Sequence, residues 1–151
     1  MPRYALLALW AFAAGAGIPL MAVANGALGQ LIGGPRPAAL ILFIMGFATC
    51  ALVLVVGGGL SGLGRVSAAP PHMLLGGVIV AFYILSVTAL VPRFGVANTI
   101  LFVMLAQLIT STVLDHFGAF GTPIRVVTAQ RAIGLLIVAF GIVVTQVRFT
   151  R

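Results

Sequence analysis

Five apolar stretches, each close to the length a helix needs to cross a bilayer, leave this chain little choice of fold. The hydrocarbon core takes about 20 residues at about 1.5 Å each. The stretches fall at 4–31, 37–60, 71–91, 94–117 and 127–147. What separates them is rich in glycine and proline: Gly33-Gly34-Pro35-Arg36-Pro37, the longer 61–71 segment, the tight Pro92-Arg93-Phe94-Gly95, and 117–125. Proline at helix entrances and glycine at exits is the expected punctuation. With 62% of 151 residues hydrophobic and 6% charged, no polar face remains on which a soluble domain could be built. The expectation is an all-α polytopic membrane protein, one domain over 1–151, with five transmembrane helices and the lipid bilayer as its first partner.

The first stretch has a rival reading. Pro2-Arg3, an apolar core and Ala22-Val23-Ala24 also fit a cleavable signal peptide. The run is longer than a usual signal core, however, and small residues are common where membrane helices touch.

The net charge of +7 comes from eight arginines, no lysine and one aspartate. The arginines stand singly between apolar runs, as topology determinants and interfacial anchors do, and form no phosphate-binding patch, so nucleic acid is not an expected partner. An odd number of helices puts the termini on opposite sides. Arg3, Arg65, Arg125 and Arg131 then fall on one side, with Arg36, Arg93, Arg148 and Arg151 on the other. This even division provides no orientation under the positive-inside rule. The chain either inserts both ways and pairs antiparallel, or has its orientation set by details other than arginine count. Cys50 is the single cysteine, so no intrachain disulfide exists, and its place in an apolar run suggests a small core residue.

Polar side chains at membrane depth are the candidates for function. The fourth stretch holds most of them: Asn98, Gln107, Thr110, Ser111 and Asp115. The last four are spaced by three, one and four residues, which lines one helical face expected to point into the bundle or a cavity. Gln107 lies near the midplane, where transport sites cluster; interhelical glue is the competing role. Asp115, the only acid, lies about 30 Å from the start of its helix and so near an interface. Arg131 falls in the first turns of the last helix on the same side. An ion pair between them, structural or coupling, is expected, and the structural role is favoured. His116 and His72 lie on that side too, where a proton relay beside the acid is one reading and ordinary hydration the other.

Pro19, in the middle of the first stretch, frees a carbonyl near Gly15 and is a hinge candidate. Asn25, Gly26 and Gly29 follow it, and Ala13 to Gly17 form a small-residue run suited to close helix packing. Tyr4 fits an interfacial belt. Tyr83 is at mid-span, needs a partner for its hydroxyl, and could line a cavity with Ser86. No metal-ligand cluster, phosphate loop or nucleophile elbow is present, so no metal and no cofactor are expected.

Several of these residues form a pattern. Gly17-Ile18-Pro19-Leu20, Asn25-Gly26-Ala27-Leu28-Gly29, Pro37-Ala38-Ala39-Leu40 and Gly46 come first. Val91-Pro92-Arg93-Phe94-Gly95-Val96-Ala97 follows, then Gln107-Leu108, Leu114-Asp115-His116-Phe117-Gly118, and Arg131 with Gly134. Over essentially its whole length the chain resembles the small YdcZ-type (DUF606) branch of the drug/metabolite transporter superfamily. The resemblance implies a bacterial inner-membrane, multi-pass protein of five helices, equivalent to half of a ten-helix relative built from two inverted halves. A homodimer, antiparallel if the chain has dual topology, would rebuild that arrangement. Many relatives carry glutamine four residues before the asparagine of the first helix, where this chain has Met21, which puts that part of the pocket in doubt.

The function expected is secondary transport, exporting a small organic metabolite or drug-like compound by alternating access. Gln107, Tyr83, Asn25, Ser86 and Ser111 are the pathway candidates. Proton coupling through Asp115 is not favoured, because no acid lies at the midplane. The alternative is a non-transporting subunit or modulator of another carrier. An enzyme is not expected: one acid and two peripheral histidines supply no acid/base pair and no metal site.

Overall fold

The computed structural model describes residues 2–146 and is all-helical across them. Val147, which ends the fifth expected span, lies outside the described residues, as do Arg148, Arg151 and the side chain of Arg3. The helices are α1 (Pro2–Leu31), α2 (Pro35–Val56), α3 (Gly76–Phe94), α4 (Val96–Phe117) and α5 (Ala129–Gln146). Together with the turn that precedes α3, they make five segments long and apolar enough to cross a membrane.

Several boundaries differ from the sequence expectation, each for a local reason. α2 starts at Pro35 and stops at Val56, not Leu60, because Gly58 takes a left-handed φ of 71°. A 3₁₀ segment (Gly59–Ala68) follows in place of an open connection, and a second (Pro71–Leu75) precedes α3, so residues 71–75 are not α-helical. The proposed hairpin at 92–95 is mostly helix: α3 runs through Pro92 to Phe94, and the turn is made at Gly95, with φ 87°. Proline lacks an N–H and crowds the carbonyl four residues back, but its fixed φ is helical, and the break falls at the glycine that can take a positive φ. α5 begins at Ala129 because Thr128 caps it, its hydroxyl accepting the Arg131 N–H at 3.2 Å.

Two compact units emerge: α1 to α3 form one, and α4 with α5 the other. In the first, each helix packs on the other two. The contact stripe of α1 is Ala22, Asn25, Gly26 and Gly29, and that of α3 is Ile84, Val87, Thr88 and Val91, both at helical spacing and all buried. Ala38 and Ala39 of α2 are buried as well. Glycine matters here: a Cβ on Gly26 would lie 3.4 Å from Val91 Cγ1, and one on Gly29 would lie 3.2 Å from the Gly34 carbonyl oxygen. The earlier small-residue run is not used in this way, since a Cβ on Gly15 or Gly17 would meet nothing within 4 Å. Cys50 is exposed on α2 and is not a core residue, which leaves it on a face that lipid can cover. α1 passes through Pro19 without interruption.

In the second unit α4 and α5 run antiparallel, tied near both ends. Gln146 Nε2 donates to Asn98 Oδ1 at 3.0 Å, and Arg131 Nη2 donates to Asp115 Oδ2 at 3.1 Å.

Candidate functional site

The Asp115 end of α4 is built as a cassette. Gly118 ends the helix in the left-handed region, φ 61°, and a Cβ there would come within 2.6 Å of Ile124 Cγ1. The following segment turns back onto α4. Arg125 N–H donates to the Asp115 carbonyl at 2.8 Å, and Val127 N–H donates to His116 Nδ1 at 3.2 Å. The carboxylate of Asp115 is occupied by Arg131, with side chains 32% and 37% exposed respectively. His116 accepts at Nδ1 in this arrangement, so in the neutral ring the proton sits on Nε2. Asp115 and His116 are thus both engaged in holding the α4–α5 connection.

The remaining polar residues of the spans divide into satisfied and unsatisfied. Ser86 Oγ donates to the Phe82 carbonyl, Ser111 Oγ and Thr112 Oγ1 to that of Leu108, Thr49 Oγ1 to that of Met45, and Thr145 Oγ1 to that of Ile142. This local back-bonding removes a hydroxyl's need for any other partner. Ser86 therefore does not pair with Tyr83. Asn25 is buried and its side-chain amide donates to the Thr88 hydroxyl, joining α1 to α3. Two groups remain. The Tyr83 hydroxyl is buried and has no hydrogen-bond partner among the described residues. The Gln107 amide is exposed on α4 and likewise has no partner among the described residues. The face carrying Gln107, Thr110 and Ser111 is exposed in the single chain and is not packed against another helix of it, which leaves a cavity as the other expected surrounding.

The first unit also holds a cleft that inspection of the spans did not single out. Of about 300 Å³, it is walled by Gly26 and Gly29 of α1, the Gly33-Gly34-Pro35 turn, and Ala89 and Pro92 of α3; Gln30, Thr88 and Arg93 supply its polar groups. A second hollow of about 260 Å³ shares Gly33, Gly34 and Pro35 and adds Arg36 and Pro37. The available signal was the coincidence of a glycine-rich helix end with a proline-rich helix start, where two backbones can approach but leave side-chain volume unfilled. Among the described residues no three His, Cys, Asp or Glu side chains gather to hold a metal ion.

A family model described as "Putative inner membrane exporter, YdcZ" (DMT_YdcZ) matches residues 6–144 of the chain. No curated protein and no solved structure matches it.

Proposed function

The chain belongs to the YdcZ family, whose description is that of a "Putative inner membrane exporter", and from that premise we propose that it is a secondary carrier, not an enzyme, moving small organic compounds outward by alternating access. It is a multi-pass protein of the inner membrane. The observation that supports the carrier reading is that polar groups are left unpartnered within the spans, the Gln107 amide and the Tyr83 hydroxyl among them. Left against hydrocarbon, each would forfeit a hydrogen bond at a cost of several kcal/mol. Water, a polar substrate or a second protein surface relieves that cost. Asn25 in the first unit is tied to Thr88 and Ser111 in the second to the Leu108 carbonyl, so as candidates for contact with substrate both already have a hydrogen bond of their own.

A homodimer is part of the proposal. In the most apolar windows of the five spans, the buried share is 6% for three of them and 22% at most. A second copy would enclose a pathway that one chain leaves open, and Pro19 would serve as the hinge. Asp115 anchors and does not couple.

The test is flux in proteoliposomes of purified chain across a panel of anionic, neutral and cationic organic compounds. A carrier yields saturable uptake of at least one, lost in Gln107→Ala although the variant reconstitutes normally. Uptake equal to that of empty vesicles throughout the panel would leave the non-transporting subunit as the better reading.

A further inference from the structure

We propose that the cleft at the α1–α2 turn binds an oxyanion, the carboxylate or phosphate group of a small molecule or of a lipid, held by Arg93 and Gln30 with Arg36 on the adjoining hollow. Charge accounting within the chain leads there. The only carboxylate, Asp115, is 3.1 Å from Arg131 and so committed to it. Arg93 and Arg36 have no carboxylate or hydrogen-bond partner among the described residues. Two cationic groups therefore border hollows that share the Gly33-Gly34-Pro35 turn, and the chain offers no second side-chain carboxylate to neutralise them.

The chemistry of the lining favours an oxyanion over other anions. A guanidinium presents a planar fork of donors that fits two oxygens of a carboxylate or phosphate at once. The Gln30 amide adds donors to the same cleft, and Thr88 lines its wall. The start of α2 contributes little by itself. Gly34 N–H is already given to the Gly29 carbonyl at 2.7 Å, and Pro35 and Pro37 have no N–H, so of the first-turn amides only that of Arg36 is left to donate. Recognition thus depends on side chains, which makes it removable by substitution. At about 300 Å³ the cleft is at the small end of ligand pockets, with room for a small molecule or a headgroup and not a large cofactor. A cationic compound would meet Arg93 at the mouth and be disfavoured.

That the bound anion is cargo rests on the export reading; that the site binds an anion does not. The experiment measures binding without flux. Purified full-length chain, in uncharged detergent with phosphatidylcholine, is followed by thermal unfolding while benzoate or inorganic phosphate is titrated, with benzylamine and benzyl alcohol as the matched cation and neutral compound. Benzoate or phosphate should raise the melting temperature of the wild type, with no comparable rise from the cation or the alcohol. R93Q should weaken the apparent affinity at least tenfold, R93K by less, and R65Q, which alters an arginine of the 3₁₀ segment Gly59–Ala68 away from the cleft, should leave it unchanged. A response to phosphatidylglycerol alone, still dependent on Arg93, identifies a lipid headgroup as the source. Anion responses that persist in R93Q, or that fall equally in R65Q, overturn the proposal, as does the lack of any response to all three anions. Should R93Q unfold, R93K and Gln30→Leu carry the same comparison. Arg93-dependent binding with no flux of any compound keeps the site and sinks the carrier; flux of neutral compounds with no anion binding does the reverse.

Discussion

Asp115 and Arg131 tie the ends of two helices through side chains that are about one-third exposed, and exposure limits what the tie is worth. Pairs of this kind contribute up to about 1 kcal/mol. Asp115→Asn should lower the melting temperature in detergent by a few degrees, and adding Arg131→Gln to it should cost little more. Additive losses in that double-mutant cycle would refute the coupling. Gly118 is a stricter position. Its left-handed φ of 61° and the nearness of Ile124 mean that Gly118→Ala should destabilise by about 1–3 kcal/mol. Gly15→Ala, with nothing within 4 Å of the added methyl, should be neutral or slightly stabilising. The contrast can be read in one thermal-unfolding series. Sequence reading placed Asp115 and Arg131 on one side of the membrane by counting residues along helices. It could not place Thr88 opposite Asn25, or Gln146 opposite Asn98, because those pairings span 63 and 48 residues and depend on how helices dock.

At the scale of the element, caps and prolines decide where each helix begins and what it can do. Thr128→Ala removes the hydroxyl that accepts the Arg131 N–H and should cost about 1 kcal/mol, with Thr128→Ser recovering most of it. The same loss should weaken the Asp115 tie, since Arg131 sits in that first turn. Pro19 leaves the Gly15 carbonyl without its helical donor inside an uninterrupted α1. Pro19→Ala restores that bond, so it should raise thermal stability. If α1 flexes there during transport, flux should fall in the same variant. A stabilised variant with unchanged flux would remove Pro19 from the mechanism.

For the whole molecule, the even division of arginines between the two sides sets no orientation, and dual insertion, if it is the outcome, gives a mixed population in the membrane. Reporters fused to the C-terminus should register on both faces, and crosslinking should capture antiparallel pairs; a reporter seen from one face alone would end the antiparallel homodimer. What the sequence determined by itself was the class of fold, its five membrane-crossing helices, its family and its membrane. The fold class and the helices follow from local properties: hydrocarbon admits only segments whose backbone bonds are closed internally, and apolar length is visible residue by residue, while the family and the inner membrane rest on the resemblance its motifs carry. The tertiary structure decided which polar groups are spent and which are left over. Ser86 and Ser111 turned out to be bonded within their own helices, Asn25 to a neighbour, and Tyr83 and Gln107 to no group among the described residues. It also revealed the cleft beside Arg93, formed where two glycines of α1 meet a glycine turn. Hydrogen-bond satisfaction and unfilled volume are properties of pairs of helices at contact distance, and no single helix carries them in its sequence.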